Sequence, residues 1–506
     1  MSEDARRTRV RLGVGGLAAI AVSLGCFLIT ALLGPSAWQP ALPGSPGQPP
    51  YALDAHPSPY LVLGLVVAGM PAGAVGLGLC LYAVRRGWSC PARPLLIAGL
   101  LVAAAFVFLP PVGSGDHLNY AAYGRMAVTG HDPYITGARD LPGDPIAGAV
   151  ERPWREEPSI YGPIATAQEA VASWIGGDSV RVTVFVLSLT NALAFALVGL
   201  VLYRAGGPSP DGRLRAVLLW TANPLLLFHL VAGAHNDVLA IAAAVCALVV
   251  FKAGSARRTL MSGALAGAAA AIKLPAALVG GGPAWVLLRD WYATRRRDVL
   301  LRLVALGGAA LVVAVAAYAL AGPHAFDQVR RAAQSVSLAT PWHLVDVALG
   351  KGSQRSVIQV GSLVLLVVLG LLLARALPRP VGTQPQDVAD ARAIAAALVL
   401  AWLFAAPYAL PWYDALGFAL LALLPASAFD WLLPARTLAL SLAYLPARDP
   451  QVVRLPSNLS WLFTVVRPTV IPWALTVVLG ALVVLAVAAM RRAGRTAPHP
   501  VRPRRA

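Results

Sequence analysis

The chain has 506 residues, 58% of them hydrophobic and only 13% charged, with a mean hydropathy of +0.67. A soluble domain carries about a quarter of its residues as charges, so this composition excludes one and describes a polytopic membrane protein. The formal charge of +18 does not point to nucleic acid, because the arginines cluster in short segments between apolar spans, the signature of cytoplasmic loops. Cys26, Cys80 and Cys246 fall inside apolar spans and Cys90 in an Arg-bearing loop, which makes neither a disulfide framework nor a metal spacing.

Residues 1–11 form a basic tail, with Arg6, Arg7, Arg9 and Arg11, ahead of an apolar run from Leu12 to Leu33. That run has the roughly 20 residues needed to span and lacks a small-residue cleavage site, so it reads as a retained helix and not a signal peptide. With the basic N-terminus cytoplasmic, the helix delivers the Pro-rich segment Gly34 to Pro59 outside. Tyr60 to Val84 returns inward to Arg85, Arg86 and Arg93, and Pro94 to Pro111 crosses outward again. The polar stretch 112–180 is then an outer loop, and its acidic residues outnumber its basic ones. Within it Ile164, Ala167, Val171, Trp174 and Ile175 recur at helical spacing opposite Gln168 and Glu169, which predicts a helix lying in the membrane interface.

Arg181 to Tyr203 goes back in, and the next crossing ends outside at His235-Asn236-Asp237, from which Val238 to Phe251 returns. Residues 260–288 lie between two basic loops. One crossing would put Arg295, Arg296 and Arg297 outside, against the charge rule, whereas two full crossings need roughly 40 residues. A hairpin of two short helices with Lys273-Leu274-Pro275 at its tip reconciles them, provided the non-helical tip lines a cavity or is buried in protein. Further spans are predicted at Leu301 to Ala321, Ile358 to Ala374, 393–410, 412–430, 434–447 and 469–490, followed by a basic tail, 491–506, read as disordered. The count is about 12–14 helices, in one transmembrane domain over 12–490 with both termini cytoplasmic.

The longest polar interruption runs from Gly113 to Pro163, and chemistry is expected there. Asp116 stands before a short helical pattern and suits either a general base or a helix cap. Asp132, before Pro133, suits a second acid or an Asx-type turn. His235, Asn236 and Asp237 together suggest a sugar or phosphate contact, while Asp237 alone suggests a cap. Lys273, flanked by apolar residues for more than a turn each way, must snorkel, find a partner or face a cavity, and in a cavity it suits a lipid phosphate. Arg330 and Arg331 offer a similar charge or a solvated pair. Tyr161, and Trp412-Tyr413-Asp414, suit sugar stacking or interfacial anchoring.

The runs G-D-H-L-N-Y-A-A-Y-G-R, G-H-D-P-Y, S-I-Y-G-P, N-P-L-L-L-F-H-L-V-A-G-A-H-N-D and A-A-A-I-K-L-P, in this order between Gly113 and Pro275, resemble those of the actinobacterial polyprenol-phosphate-mannose-dependent α-(1→6)-mannosyltransferases of the MptB type. The resemblance implies an all-α, GT-C-like membrane bundle whose first large outer loop is catalytic, with Asp116 as base at the outer face of the plasma membrane. It implies polyprenyl-phosphate mannose as donor, a mannan-type or lipomannan-like glycolipid as acceptor and inversion at the anomeric carbon, with no nucleotide cofactor and no divalent metal assumed. Its motifs make Tyr120, Arg125, Asp132, Tyr134, Tyr161, His235, Asn236, Asp237 and Lys273 candidate substrate contacts, with Arg330 and Arg331 beyond them. This sequence has G-D-H where many GT-C enzymes have paired acids, so a second acid, Asp132 or Asp237, stays open. A polyprenyl-phosphate-dependent transferase of another sugar is the alternative within the class, and a transporter or flippase for a lipid-linked sugar is the competing class. It would bury its ionisable groups near the bilayer midplane, whereas here they concentrate in outer loops.

Overall fold

The computed structural model describes residues 3–327, 330, 334–379, 385–453 and 455–496. Its regular elements among these residues are helical. Apolar runs in lipid become helices because each backbone polar group must then be satisfied inside its own segment. The chain forms α1 (Glu3–Leu32), α2 (Pro59–Arg85), α3 (Ala92–Val107), α4 (Asp116–Val128), α5 (Pro163–Gly176) and α6 (Val180–Ala205). A broken helix, α7 (Pro210–Ala232), leads to α8 (Asp237–Val250), α9 (Ala256–Ile272), α10 (Gly281–Thr294) and α11 (Arg297–Ala321). The C-terminal part adds α12 (Pro341–Ala348), α13 (Arg355–Ala376), α14 (Gln386–Ala405), α15 (Asp414–Ala422), α16 (Leu432–Ala443) and α17 (Ile471–Thr496).

Among the described residues, 8 helices are long and apolar enough to cross a membrane: α1, α2, α6, α7, α11, α13, α14 and the segment Ser457–Arg492 that contains most of α17. The other apolar segments are shorter. α3 has 16 residues, about 24 Å at 1.5 Å per residue, against a hydrocarbon core of about 30 Å. The spans predicted at 412–430 and 434–447 shrink to α15 and α16, because Pro425 and the turn at Ser427 to Trp431 interrupt the apolar pattern. The stretch read as a hairpin consists of α9, a 3-10 turn at Leu274–Gly280, and α10. From Glu3 onward the basic N-terminal residues are part of α1. Likewise α17 carries the basic C-terminal residues on to Thr496, and the rest of that tail lies outside the described residues.

Loop contacts sort the helix ends into two sides. On one, Val112 N donates to Ala232 O at 2.8 Å, Gly113 N to Trp38 O at 2.8 Å, and the Arg448 guanidinium to Ser36 O at 2.6 Å. On the other, Ala253 N donates to Asp387 Oδ2 at 3.0 Å, Arg302 to Ala253 O at 2.7 Å, and Arg289 pairs with Asp390 at 2.5 Å. The Arg-rich turns thus gather at one end and the polar motifs at the other.

Small residues set how closely the helices approach, as expected where packing rather than water drives association. A Cβ on Gly263 would lie 2.1 Å from Leu306 O, and one on Gly267 2.3 Å from Ala310 O, so this four-residue glycine spacing seats α9 on α11. A Cβ on Gly124 would lie 2.0 Å from Glu169 O, which locks α4 against α5. Gly162 does the same for two motifs. Its N–H donates to Ile272 O at 3.1 Å, and a Cβ there would lie 2.2 Å from Ala271 O, so S-I-Y-G-P docks on the hairpin tip only as glycine. Gly162→Ala should therefore destabilise the detergent-purified protein by about 1–3 kcal/mol, read as a lower thermal midpoint. Gly148→Ala, exposed and with nothing within 4 Å, should leave it within about 0.5 kcal/mol.

Candidate active site

α4 is capped by Gly115, without a side-chain bond. The Asp116 N–H donates back to Ser114 Oγ at 2.9 Å, and the Asp116 carboxylate, 21% exposed, instead points at His235, with Oδ2 3.6 Å from Nε2. Burial is the largest influence on that carboxyl and pushes its pKa up to about 6, with contributions in the same direction from Asp237 and Glu151; Ser114 and Lys273 oppose it.

The facing wall comes from the end of α7. There the chain winds into a π turn over Leu227–Ala232 and reverses at Ala234, which takes a left-handed φ of 53°. Both conformations are uncommon and cluster at functional sites. The reversal folds His235 back, so that Nδ1 lies 2.5 Å from His229 O, while the ring stacks on Trp412 with centroids 3.6 Å apart. Asn236 Nδ2 donates to Glu169 Oε1 at 3.3 Å. Asp237 opens α8 and pairs through Oδ1 with Lys273 Nζ at 2.5 Å. Lys273 is thus neither snorkelled nor alone, yet its side chain keeps 20% exposure. The ammonium sits 4.4 Å from the Tyr413 ring centroid and 5.9 Å from that of Tyr161. Tyr161 in turn meets Tyr120 edge-on, centroids 5.0 Å apart, with hydroxyls at 3.4 Å.

The structure therefore brings together Asp116, Tyr120, Tyr161, His235, Asn236, Asp237 and Lys273. Other candidates are held elsewhere. Arg125 is engaged at 2.6 Å by both Asp144 and Asp178 and ties the outer loop down. Asp132 Oδ1 accepts from Tyr134 N at 2.9 Å, an Asx-type turn, and Tyr134 is buried with its hydroxyl 3.0 Å from Thr166 Oγ1. Arg330 is exposed, and Arg331 lies outside the described residues.

α5 corrects the expectation for Glu169. Val171, Trp174 and Ile175 are the exposed face, as an interfacial helix requires, but Glu169 is fully buried against α4 and the turn before α8. Burial pushes its pKa up to about 8, which favours the neutral acid, and the Asn236 amide opposes the shift. Periodicity put this residue on the polar face and missed that a second protein surface covers that face. Trp412 is buried as the platform for His235, Asp414 pairs with Arg436 inside the core, and Tyr413 is the half-buried aromatic left beside Lys273. Among the described residues, no three His, Cys, Asp or Glu side chains gather as metal ligands.

A helical membrane bundle thus gathers a carboxylate, an ammonium and an aromatic wall at the end away from its Arg-rich turns. The family model described as Alpha-(1->6)-mannopyranosyltransferase, N-terminal domain, matches residues 12–289. The chain belongs to this family. Similar proteins include Alpha-(1->6)-mannopyranosyltransferase A of Corynebacterium glutamicum, 30% identical over 26% of this chain and 27% of that protein. Alpha-(1->6)-mannopyranosyltransferase B of the same organism is 27% identical over 41% of this chain and 36% of that protein. A probable alpha-(1->6)-mannopyranosyltransferase of Mycolicibacterium smegmatis is 32% identical over 28% and 25%. The aligned stretches thus span about a quarter to a third of these relatives' length. ArnT from Cupriavidus metallidurans, solved bound to undecaprenyl phosphate, superposes over 78% of this chain and 77% of its own with a TM-score of 0.40 and 16% identity. That likeness is too loose to carry an argument.

The Lys273–Asp237 pair predicts a specific stability pattern. Lys273→Met leaves a buried carboxylate unpaired and should cost on the order of 2–4 kcal/mol. Lys273→Met with Asp237→Leu removes both charges and should recover most of the thermal midpoint without restoring function.

Proposed function

We propose that the protein transfers mannose from polyprenyl-phosphate mannose to a hydroxyl of a mannan-type glycolipid acceptor, forming an α-(1→6) linkage with inversion, at the outer face of the plasma membrane. The observation that carries this reading is an accessible carboxyl and an accessible ammonium in one site. Asp116 is a partly exposed carboxyl with a pKa near 6, and Lys273 is a partly exposed ammonium near enough to influence it. Asp116 takes the proton from the acceptor hydroxyl as its oxygen attacks the anomeric carbon. The bond from that carbon to the phosphate oxygen breaks, and its electron pair leaves on polyprenyl phosphate, whose growing charge is met by Lys273. Tyr161 and Tyr413 flank the ammonium where a sugar next to the phosphate would lie.

The gathering of the Arg-rich turns at the opposite end supports the outer-face reading, with both termini cytoplasmic as part of the proposal. The names of the similar proteins support mannose and the α-(1→6) linkage. No nucleotide or metal enters the scheme, because Lys273 supplies the positive charge and the donor arrives in the lipid.

Transfer from polyprenyl-phosphate mannose to a short α-mannoside is the test, in membranes carrying equal amounts of each variant. Asp116→Asn and Asp116→Ala should each lose activity by a factor of about 10²–10⁴; activity retained in Asp116→Asn would remove Asp116 as base. The working form is the carboxylate, so the native rate should rise with pH through about 6 and level off above pH 7, following the raised pKa of Asp116. Transfer should persist in excess chelator, and its loss there would bring a metal into the scheme.

A further inference from the structure

His235 is more than a packed side chain in the wall beside Asp116. Its Nδ1 lies 2.5 Å from His229 O, and a carbonyl oxygen only accepts, so Nδ1 carries the hydrogen. In the neutral ring Nε2 then holds a lone pair. That nitrogen is buried, has no hydrogen-bond partner, and faces Asp116 Oδ2 at 3.6 Å. The Trp412 ring, stacked at 3.6 Å and 19°, prevents the imidazole from turning away. A lone pair held opposite a carboxylate oxygen is unfavourable until a proton stands between them.

We propose that His235 is the positioning residue for Asp116, its Nε2 receiving a hydrogen bond from the carboxyl only once that carboxyl has taken the acceptor's proton. The inference rests on the reading of Asp116 as base and deepens it. The acceptor O–H bond breaks, its proton goes to Asp116 Oδ2, and Oδ2–H then donates to His235 Nε2 as the two close by a few tenths of an ångström. The proton leaves later to water. Because this hydrogen bond is absent before proton transfer and present after it, it strengthens toward the transition state, which is the condition for raising kcat rather than lowering KM.

The surroundings favour the neutral ring. Burial pushes the His235 pKa well below its ordinary value, aided by His229, Lys273 and His117. Facing Asp116 from the other elements are the ionised groups Asp237, Glu151 and Lys273. The phenols of Tyr120, Tyr161, Tyr413 and Tyr444 also face it, and burial raises all of their pKa values.

Two variants separate this role from packing. His235→Phe keeps a ring on Trp412 but has no Nε2. His235→Gln puts an amide in reach of Asp116 that can donate to the ionised carboxylate. With the donor and acceptor above, both should lower kcat by about 10–100-fold at unchanged KM. Both should also move the acidic limb of the pH–rate profile to lower pH, since the protonated carboxyl loses its acceptor. An infrared pH titration of the purified protein reads the same dyad without turnover. A protonated-carboxyl band missing in Asp116→Asn should titrate near pH 6 in the native chain and about one unit lower in both His235 variants. His235→Phe with native kcat, limb and band would overturn the proposal. Native transfer that survives Asp116→Asn would instead overturn the assignment of Asp116, whatever the infrared titration gives. A failure of transfer with the expected band shifts would uphold the dyad and sink the substrate assignment alone.

Discussion

The ion pair between Lys273 and Asp237 is the contact on which the site depends. Neither charge is tolerable alone at this depth: an unpaired carboxylate or ammonium among apolar helices costs several kcal/mol. Satisfying both requires the tip of the α9–α10 hairpin to meet the turn before α8 within 2.5 Å. That requirement propagates outward. Gly162 must be small for the tip to seat, Tyr161 is carried with it to the ammonium, and His235, two residues before Asp237, is brought opposite Asp116. Four of the five short motifs, scattered over 160 or so residues of sequence, thus become one surface around a single charge neutralisation.

Irregular backbone is concentrated on the same side. The π turn at Leu227–Ala232, the left-handed Ala234 and the 3-10 turn at Leu274–Gly280 all lie within this cluster of motifs. Lipid would not tolerate their loosened hydrogen bonding, but protein packed around them does. The opposite side is built differently. Its arginines are tied to fixed carboxylates, Arg289 and Arg379 to Asp390, and Arg215 to Asp430 with two carbonyls besides. At the motif end Arg125 and Arg448 are likewise tied to carboxylates, but beside them Asp237 Oδ2, Glu169 Oε2 and His235 Nε2 have no hydrogen-bond partner.

Most of the architecture is legible in composition and hydropathy because the constraint is local. A run of apolar residues in lipid must be a helix, whatever its neighbours are. The reading of residues 260–288 as two short helices follows the same logic, since two basic loops that near each other leave too little chain for two full crossings. Boundaries were less legible where a span borders polar residues. α14 begins at Gln386 and takes in Asp387, Asp390 and Arg392, which lie before the span predicted at 393–410. Their charges are tolerable in a helix because Arg289, Arg379 and the Ala253 amide meet the two aspartates.

For the site, the sequence by itself determined which residue types are available: an acid before a helix, a polar triplet at a helix end, and a lysine amid apolar residues that had to find a partner. It determined no distances. Only the tertiary structure decided that Lys273 pairs with Asp237, that Arg125 is taken by Asp144 and Asp178, and that Asp132 closes a turn. The same holds for Glu169, which periodicity placed on a solvated face and packing buried, and for Trp412, which lies far along the chain yet fixes the plane of His235. The physical reason is common to all of these. Helix formation in a membrane is settled within each segment, whereas the state of a buried charge or hydrogen bond is settled by whatever side chain the fold brings to it from elsewhere.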